Sequence, residues 1–95
     1  MEPTETSGPM TANLNADVRE VLSAHARLPV DLSTLDDGTD LFRAGMSSHA
    51  SVNVMLALED TFDVEFPDRM LKKSTFESVN AIAAALVELG VTVAD

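Results

Sequence analysis

Apolar residues recur at steps of three and four positions in three stretches of the chain, which is the spacing of one face of an α-helix. The first stretch runs from Leu14 to about Ala26, and its apolar face consists of Leu14, Val18, Val21 and Leu22. This spacing predicts an amphipathic first helix. The pair Leu28-Pro29 ends it, because the residue before a proline avoids helical geometry.

A long acidic connection follows the first helix. It contains four large apolar residues that are unfavourable in free solvent, namely Leu32, Leu35, Leu41 and Phe42. We therefore expect the connection to pack across the helices that it joins. Its segment Asp36-Asp37-Gly38-Thr39-Asp40 hints at a calcium loop, but the ligand positions around Gly38 would fall on Leu35 and Ala44. An acidic solvated turn is the preferred interpretation.

Gly45 predicts a sharp turn, after which Ser47 or Ser48 can cap a second helix that runs to about Phe62. One face of this helix is apolar and predicts core residues at Val54, Met55, Leu58 and Phe62. A different arc is acidic with a single leucine, and it contains Asn53, Leu56, Glu59, Asp60 and Asp63. We expect this second arc to be exposed.

The remaining sequence predicts two further helical segments. A short turn should run from Pro67 to about Leu71. Ser74-Thr75-Phe76-Glu77 then fits a capping box for a last helix, whose apolar face is Val79, Ile82, Ala83, Leu86 and Leu89 and which Gly90 ends.

These segments predict an all-α fold, a small four-helix bundle with three main helices and one short helix. The 95 residues suffice for one hydrophobic core. We expect residues 14–90 to form this domain and residues 91–95 to form a C-terminal tail. Residues 1–13 are rich in Pro, Thr, Ser, Glu and Gly and predict a disordered leader.

Charge and composition exclude several classes of function. The formal net charge of −10 opposes binding to nucleic acids or anionic membranes. No stretch has the length of a membrane span, and no secretory signal precedes the first helix, so we expect a cytoplasmic protein. The chain has no cysteine, so any thiol chemistry requires an added group.

The segment Gly45-Met46-Ser47-Ser48 places serines at a helix N-terminus, where unpaired backbone N–H groups and the helix dipole stabilise a phosphate. From the residues alone, simple helix caps fit the two serines as well. A serine–histidine hydrolase is disfavoured, because Ser48 and His49 are adjacent on the helix and point about 100° apart.

Gly45-Met46-Ser47-Ser48, with Leu41 before it and the stretch from Glu59 to Asp68 after it, resembles the acyl carrier protein family over roughly residues 14–89. In that family a Gly-x-Asp-Ser-Leu segment opens the second helix, and its serine accepts 4′-phosphopantetheine. The resemblance places this serine at Ser48, the family's aspartate at Ser47 and its leucine at His49. Two of these three positions therefore differ from the family, and Ser47 remains the alternative site.

The resemblance implies a carrier that is not itself an enzyme. It would hold an aminoacyl or acyl group as a thioester on 4′-phosphopantetheine, which is attached covalently from coenzyme A. The implied partners are a phosphopantetheinyl transferase, an acyl- or amino-acid-activating ligase and downstream transferases. With its altered Ser47-Ser48-His49 start, the chain also looks like small bacterial carriers served by a ligase related to aminoacyl-tRNA synthetases. We expect a monomer.

The family's contacts with partner enzymes lie along the second helix and the next short segment. Carried over, they predict recognition residues at Ser47, His49, Leu56, Glu59, Asp60, Asp63, Phe66 and Asp68. The competing interpretation is an acidic helical protein–protein interaction module without a covalent cofactor. A calcium sensor is the third and weakest interpretation.

Overall fold

The computed structural model describes residues 10–91, with side chains described from Leu14. Its α-helices are Met10–His25 (α1), Leu41–Ala44 (α2), Ser48–Phe62 (α3) and Val79–Glu88 (α4). Three 3-10 turns lie at Leu32–Thr34, Asp68–Met70 and Lys73–Thr75. Throughout this part of the chain every regular element is helical and none is a strand, which confirms the all-α prediction.

The first helix is longer than predicted, since α1 begins at Met10 and not at Leu14. The predicted leader therefore overlaps the start of α1. Its residues 1–9, and residues 92–95 of the predicted tail, lie outside the described residues. The division into leader, domain and tail stays a prediction.

The core forms where α1 contacts both α3 and α4. Its largest fully buried side chains include Leu14, Leu22, Leu58, Ile82 and Leu86. The predicted face of α1 is confirmed, and that of α4 is buried except for Leu89, which follows the helix and is only partly covered. On α3, Val54 and Leu58 are fully buried, whereas Met55 and Phe62 are only partly covered.

The acidic connection packs against the helices as predicted, and Arg19 on α1 holds it in place. The guanidinium of Arg19 donates to the carbonyl oxygens of Leu32 at 3.1 Å and Leu35 at 2.5 Å, and to Asp37 Oδ1 at 2.7 Å. Asn15 Nδ2 donates to the second oxygen of the Asp37 carboxylate at 2.9 Å. These bonds from Asn15 and Arg19 favour the charged carboxylate and lower the pKa of Asp37.

Two other aspartates of the connection cap short helical turns that the sequence analysis did not predict. Asp31 accepts a hydrogen bond from the backbone N–H of Ser33, which lowers the pKa of Asp31. Asp40 accepts from the N–H groups of Phe42 and Arg43 and so begins α2. The apolar residue directly after each cap faces inward, since Leu32 and Leu41 are both buried.

The predicted short helix between Pro67 and Leu71 is a single 3-10 turn, Asp68–Met70, that starts after Pro67. The predicted capping box at Ser74 is wrong, because the cap of α4 is Ser78, whose Oγ accepts from the N–H of Ala81 at 3.0 Å. Phe76 is drawn into the core instead, where its ring meets Phe66 edge-on at 5.2 Å between centroids. α4 ends before Gly90 (φ +94°), as predicted.

Among the described residues, none of the helices combines the length and the apolar character that crossing a bilayer requires.

Leu58→Ala should lower the free energy of unfolding by about 2–5 kcal/mol, because the Leu58 side chain is fully buried and its removal leaves a cavity. The control is Leu56→Ala, two positions away on α3, where the leucine is 53% exposed. It should change the free energy by less than about 0.5 kcal/mol. Urea unfolding of both variants measures the difference, and equal losses would contradict the assignment of the two faces.

Candidate functional site

The turn that precedes α3 is tightly packed. Gly45 has a φ of +122°, and its N–H donates to the carbonyl oxygen of Phe42 at 3.1 Å. The N–H of Met46 donates to the carbonyl oxygen of Leu41 at 2.9 Å, and the Met46 side chain is buried. A Cβ atom on Gly45 would lie 2.5 Å from Cδ of Pro29. Only glycine fits both the backbone geometry and this approach.

The two serines after this turn have different roles. Ser47 is the N-cap of α3, and its Oγ accepts a hydrogen bond from the N–H of Ala50 at 3.0 Å. Serine and aspartate are both favoured at this position, so Ser47 can supply the cap that an aspartate would supply. The departure at Ser47 from the carrier-protein pattern therefore preserves the start of the helix.

Ser48 is the first residue of α3 and is exposed. Within residues 10–91 its Oγ takes part in no hydrogen bond, whereas its carbonyl oxygen accepts from Ser51 Oγ at 2.6 Å. A group esterified to this hydroxyl would stand at the N-terminus of a 15-residue helix, where backbone N–H groups and the helix dipole favour a phosphate. Of the two serines, Ser48 has the available hydroxyl.

A cleft of about 310 Å³ opens beside Ser48, between α3 and the segment that leads to α4. Its apolar lining consists of Phe42, Val52, Met55, Leu71 and Phe76. Lys72 and Lys73 also line it, and Lys73 Nζ lies 5.0 Å from the centre of the Phe42 ring. The sequence analysis did not anticipate this cleft. Val52 and Met55 follow Ser48 at helical spacing, which places all three residues on one face of α3. This spacing was the one feature of the sequence that pointed to the cleft.

The predicted recognition residues are largely accessible. Ser47, His49, Leu56, Asp60, Asp63 and Asp68 are exposed, and Glu59 is partly exposed. The Glu59 carboxylate is already engaged, since its Oε2 accepts from the N–H of Phe66 at 2.8 Å. Exposure alone does not show contact with a partner, so these assignments stay predictions.

Phe66 is the one predicted recognition residue whose side chain is buried, and its role in recognition stays a prediction. Only 5% of Phe66 is exposed, and its ring packs against Phe76. The aromatic side chain joins the core because burying it stabilises the long irregular segment between α3 and α4.

Comparison with known families decides how this site is to be interpreted. The family described as phosphopantetheine attachment site matches residues 17–86, which include the turn, both serines and the cleft. The chain belongs to this family. Carriers of the phosphopantetheine family bind 4′-phosphopantetheine covalently, and the exposed, unengaged hydroxyl of Ser48 beside a cleft fits such a group.

Individual proteins are also similar to this chain. An aminoacyl carrier protein of Agrobacterium fabrum is 46% identical over 69 residues, which is 73% of this chain and 83% of the relative. A solution structure from Agrobacterium tumefaciens has a TM-score of 0.64 at 43% identity and covers 78% of this chain and 89% of its own.

A third match comes from a crystal structure of a complex. It contains an engineered Bradyrhizobium japonicum glycine:[carrier protein] ligase with a carrier protein from Agrobacterium tumefaciens and ATP. The matching chain has a TM-score of 0.77 at 43% identity, and the match covers 79% of this chain and 97% of that one. The fold of this carrier protein thus extends over most of the present chain.

Gly45→Ala should destabilise the protein and displace the start of α3, because the new methyl group meets the Pro29 ring in addition to the unfavourable backbone angle. We expect a loss of about 2–4 kcal/mol in the free energy of unfolding. Gly90→Ala is the matched control: Gly90 also has a positive φ, but no atom of the described residues lies within 4 Å of its added Cβ. It should lose only about 1–2 kcal/mol. Equal losses in urea unfolding would show that the contact with Pro29 contributes nothing.

Proposed function

We propose that this chain is an aminoacyl carrier, with 4′-phosphopantetheine attached to Ser48 and a small amino acid as its cargo. The observation that carries the proposal is the pair of serines at the start of α3, of which Ser47 caps the helix and Ser48 presents a hydroxyl without a hydrogen bond inside residues 10–91. The bound group supplies a terminal thiol that holds the cargo as a thioester. The protein itself offers no thiol, because it contains no cysteine.

The choice of an amino acid over a long acyl chain rests on two kinds of support. The relative from Agrobacterium fabrum is named an aminoacyl carrier protein, and a structural match comes from a complex with a glycine:[carrier protein] ligase. The cleft beside Ser48 adds a physical argument. Its volume of about 310 Å³ is at the small end of the roughly 300–1,000 Å³ range for ligand pockets, which suits the arm or a small cargo.

In this proposal the chain is a substrate of other enzymes and catalyses nothing itself. A phosphopantetheinyl transferase modifies Ser48 from coenzyme A, a ligase loads the amino acid, and a downstream transferase receives it. In this proposal the protein acts in the cytoplasm. The exposed side chains of α3 from His49 to Asp60, together with the C-cap residue Asp63, form the surface that we assign to contacts with these enzymes.

Modification should depend on Ser48 and not on Ser47. Incubated with a phosphopantetheinyl transferase and coenzyme A, the wild type and Ser47→Ala should each gain the mass of one phosphopantetheine group, whereas Ser48→Ala should gain none. Ser47→Ala tests the helix cap separately and should cost about 1 kcal/mol of stability. Intact-protein mass spectrometry measures the gain.

Each possible result of the mass measurement supports a different proposal. Mass gain in Ser48→Ala but not in Ser47→Ala would move the site to Ser47. No gain in the wild type, with transferases from the same organism, would favour the acidic interaction module instead. With the modified protein in hand, a mass increase by one aminoacyl residue after treatment with its ligase and ATP would establish the cargo class.

The partner surface is tested at Leu56, an apolar side chain that is 53% exposed on the acidic arc of α3. Leu56→Asp should lower kcat/KM for loading by the ligase about tenfold, as loss of an apolar interface anchor does. Val87→Asp on α4 is the control, because Val87 is 50% exposed but lies outside the predicted surface. Equal kcat/KM values for the two variants would remove Leu56 from the interface.

A further inference from the structure

The cleft beside Ser48 has a charge opposite to that of the chain. The protein contains sixteen acidic residues and six basic ones, and both of its lysines, Lys72 and Lys73, line this cleft. The lining contains no carboxylate. An acidic protein therefore has a cationic border at the position where its covalent group is attached.

Hydrogen bonds fix the backbone at the two lysines. The N–H of Lys72 donates to the carbonyl oxygen of Met70 at 3.0 Å, and the carbonyl oxygen of Lys72 accepts from the N–H of Thr75 at 3.1 Å. Within residues 10–91 neither lysine forms an ion pair, since the cations of the two ion pairs there are Arg19 and Arg69. The Lys73 ammonium is held near the Phe42 ring by a cation–π contact. No carboxylate of residues 10–91 therefore pairs with either charge at the border of the cleft.

We propose that Lys72 and Lys73 make this cleft selective for charge: it admits the neutral part of the arm and neutral cargo, and it rejects the α-ammonium group of an aminoacyl cargo. This inference rests on the proposed attachment at Ser48. The phosphate diester of the arm contributes one negative charge against the two lysines, so the cleft keeps a net positive charge. An aminoacyl cargo consequently stays outside, where partner enzymes can reach it.

The expected size of the effect follows from the exposure of the two lysines. Interactions between exposed charges are weak, and they change an occupancy on the order of two- to fivefold. Because added salt screens them, the selectivity should shrink as the ionic strength rises. Two cargoes of the same shape make the same contacts with the apolar lining. A difference in their occupancy of the cleft therefore reports the effect of charge.

Glycyl and propionyl groups provide this comparison, since they have nearly the same shape and differ in one ammonium group. We would attach each through a stable amide analogue of the arm to ¹⁵N-labelled protein and record amide chemical shifts. Relative to the unloaded arm, the propionyl group should shift the amides of Val52, Met55 and Phe76. The glycyl group should shift them two- to fivefold less.

The variant Lys72→Glu/Lys73→Glu should abolish or invert this difference. Arg27→Glu/Arg43→Glu changes the net charge equally at residues that do not line the cleft, and it should retain the difference. Equal shifts from both cargoes in the wild type, no shift from either, or a difference that survives in the lysine variant would each overturn the inference. Failure of attachment at Ser48, seen beforehand as an absent mass gain, would instead overturn the proposed function.

Discussion

The approach of Gly45 to Pro29 fixes the point at which α3 begins. The turn has a positive φ at Gly45, two backbone hydrogen bonds back to α2, and no space for a side chain next to the proline ring. Ser47 follows as the helix cap, and the hydroxyl of Ser48 is thereby left at the first position of the helix. If α3 began one residue later, Ser48 would become the N-cap, and its hydroxyl would be engaged as that of Ser47 is now.

The excess of acidic residues is used in two different ways. In the connection between α1 and α3, the carboxylates of Asp31, Asp37 and Asp40 accept hydrogen bonds and hold short turns against the core. On α3 and just beyond it, Asp60, Asp63 and Asp68 are exposed and accept no hydrogen bond within residues 10–91. The first group stabilises the fold at fixed positions, and the second leaves a negative surface that can speed encounter with a basic partner.

The three main helices and most of their core positions could be predicted, because each follows from a local pattern of apolar residues. The periodicity around Val54 and Leu58, for example, records which side of α3 meets α1. The start of α4 could not be predicted in this way. Ser74 and Ser78 both offer a cap, and the choice depends on Phe76, which packs against Phe66 and holds the intervening segment out of the helix. The spacing of Phe66 and Phe76 along the chain follows no helical periodicity, so the sequence pattern does not reveal their contact.

In the candidate site, too, some features follow from the local sequence and others only from the folded structure. Ser48 was predicted as the attachment site from its motif, and the structure adds that the hydroxyl of Ser47 is engaged as the helix cap. The cleft was missed because Phe42, Val52 and Lys73 come from three separate segments that meet only in the folded chain.

The small volume of this cleft is consistent with the demands on a carrier. Its cargo is retained by a covalent bond, so tight non-covalent binding would add nothing to retention and would oppose transfer to a partner enzyme. A shallow apolar cleft with two cations beside it can shelter the neutral part of the arm while leaving a charged cargo in solvent. For an amino acid, the ammonium group is also the feature that distinguishes it from an acyl group of equal size. The same charge that keeps it out of the cleft is then exposed for recognition by the enzymes that load and receive it.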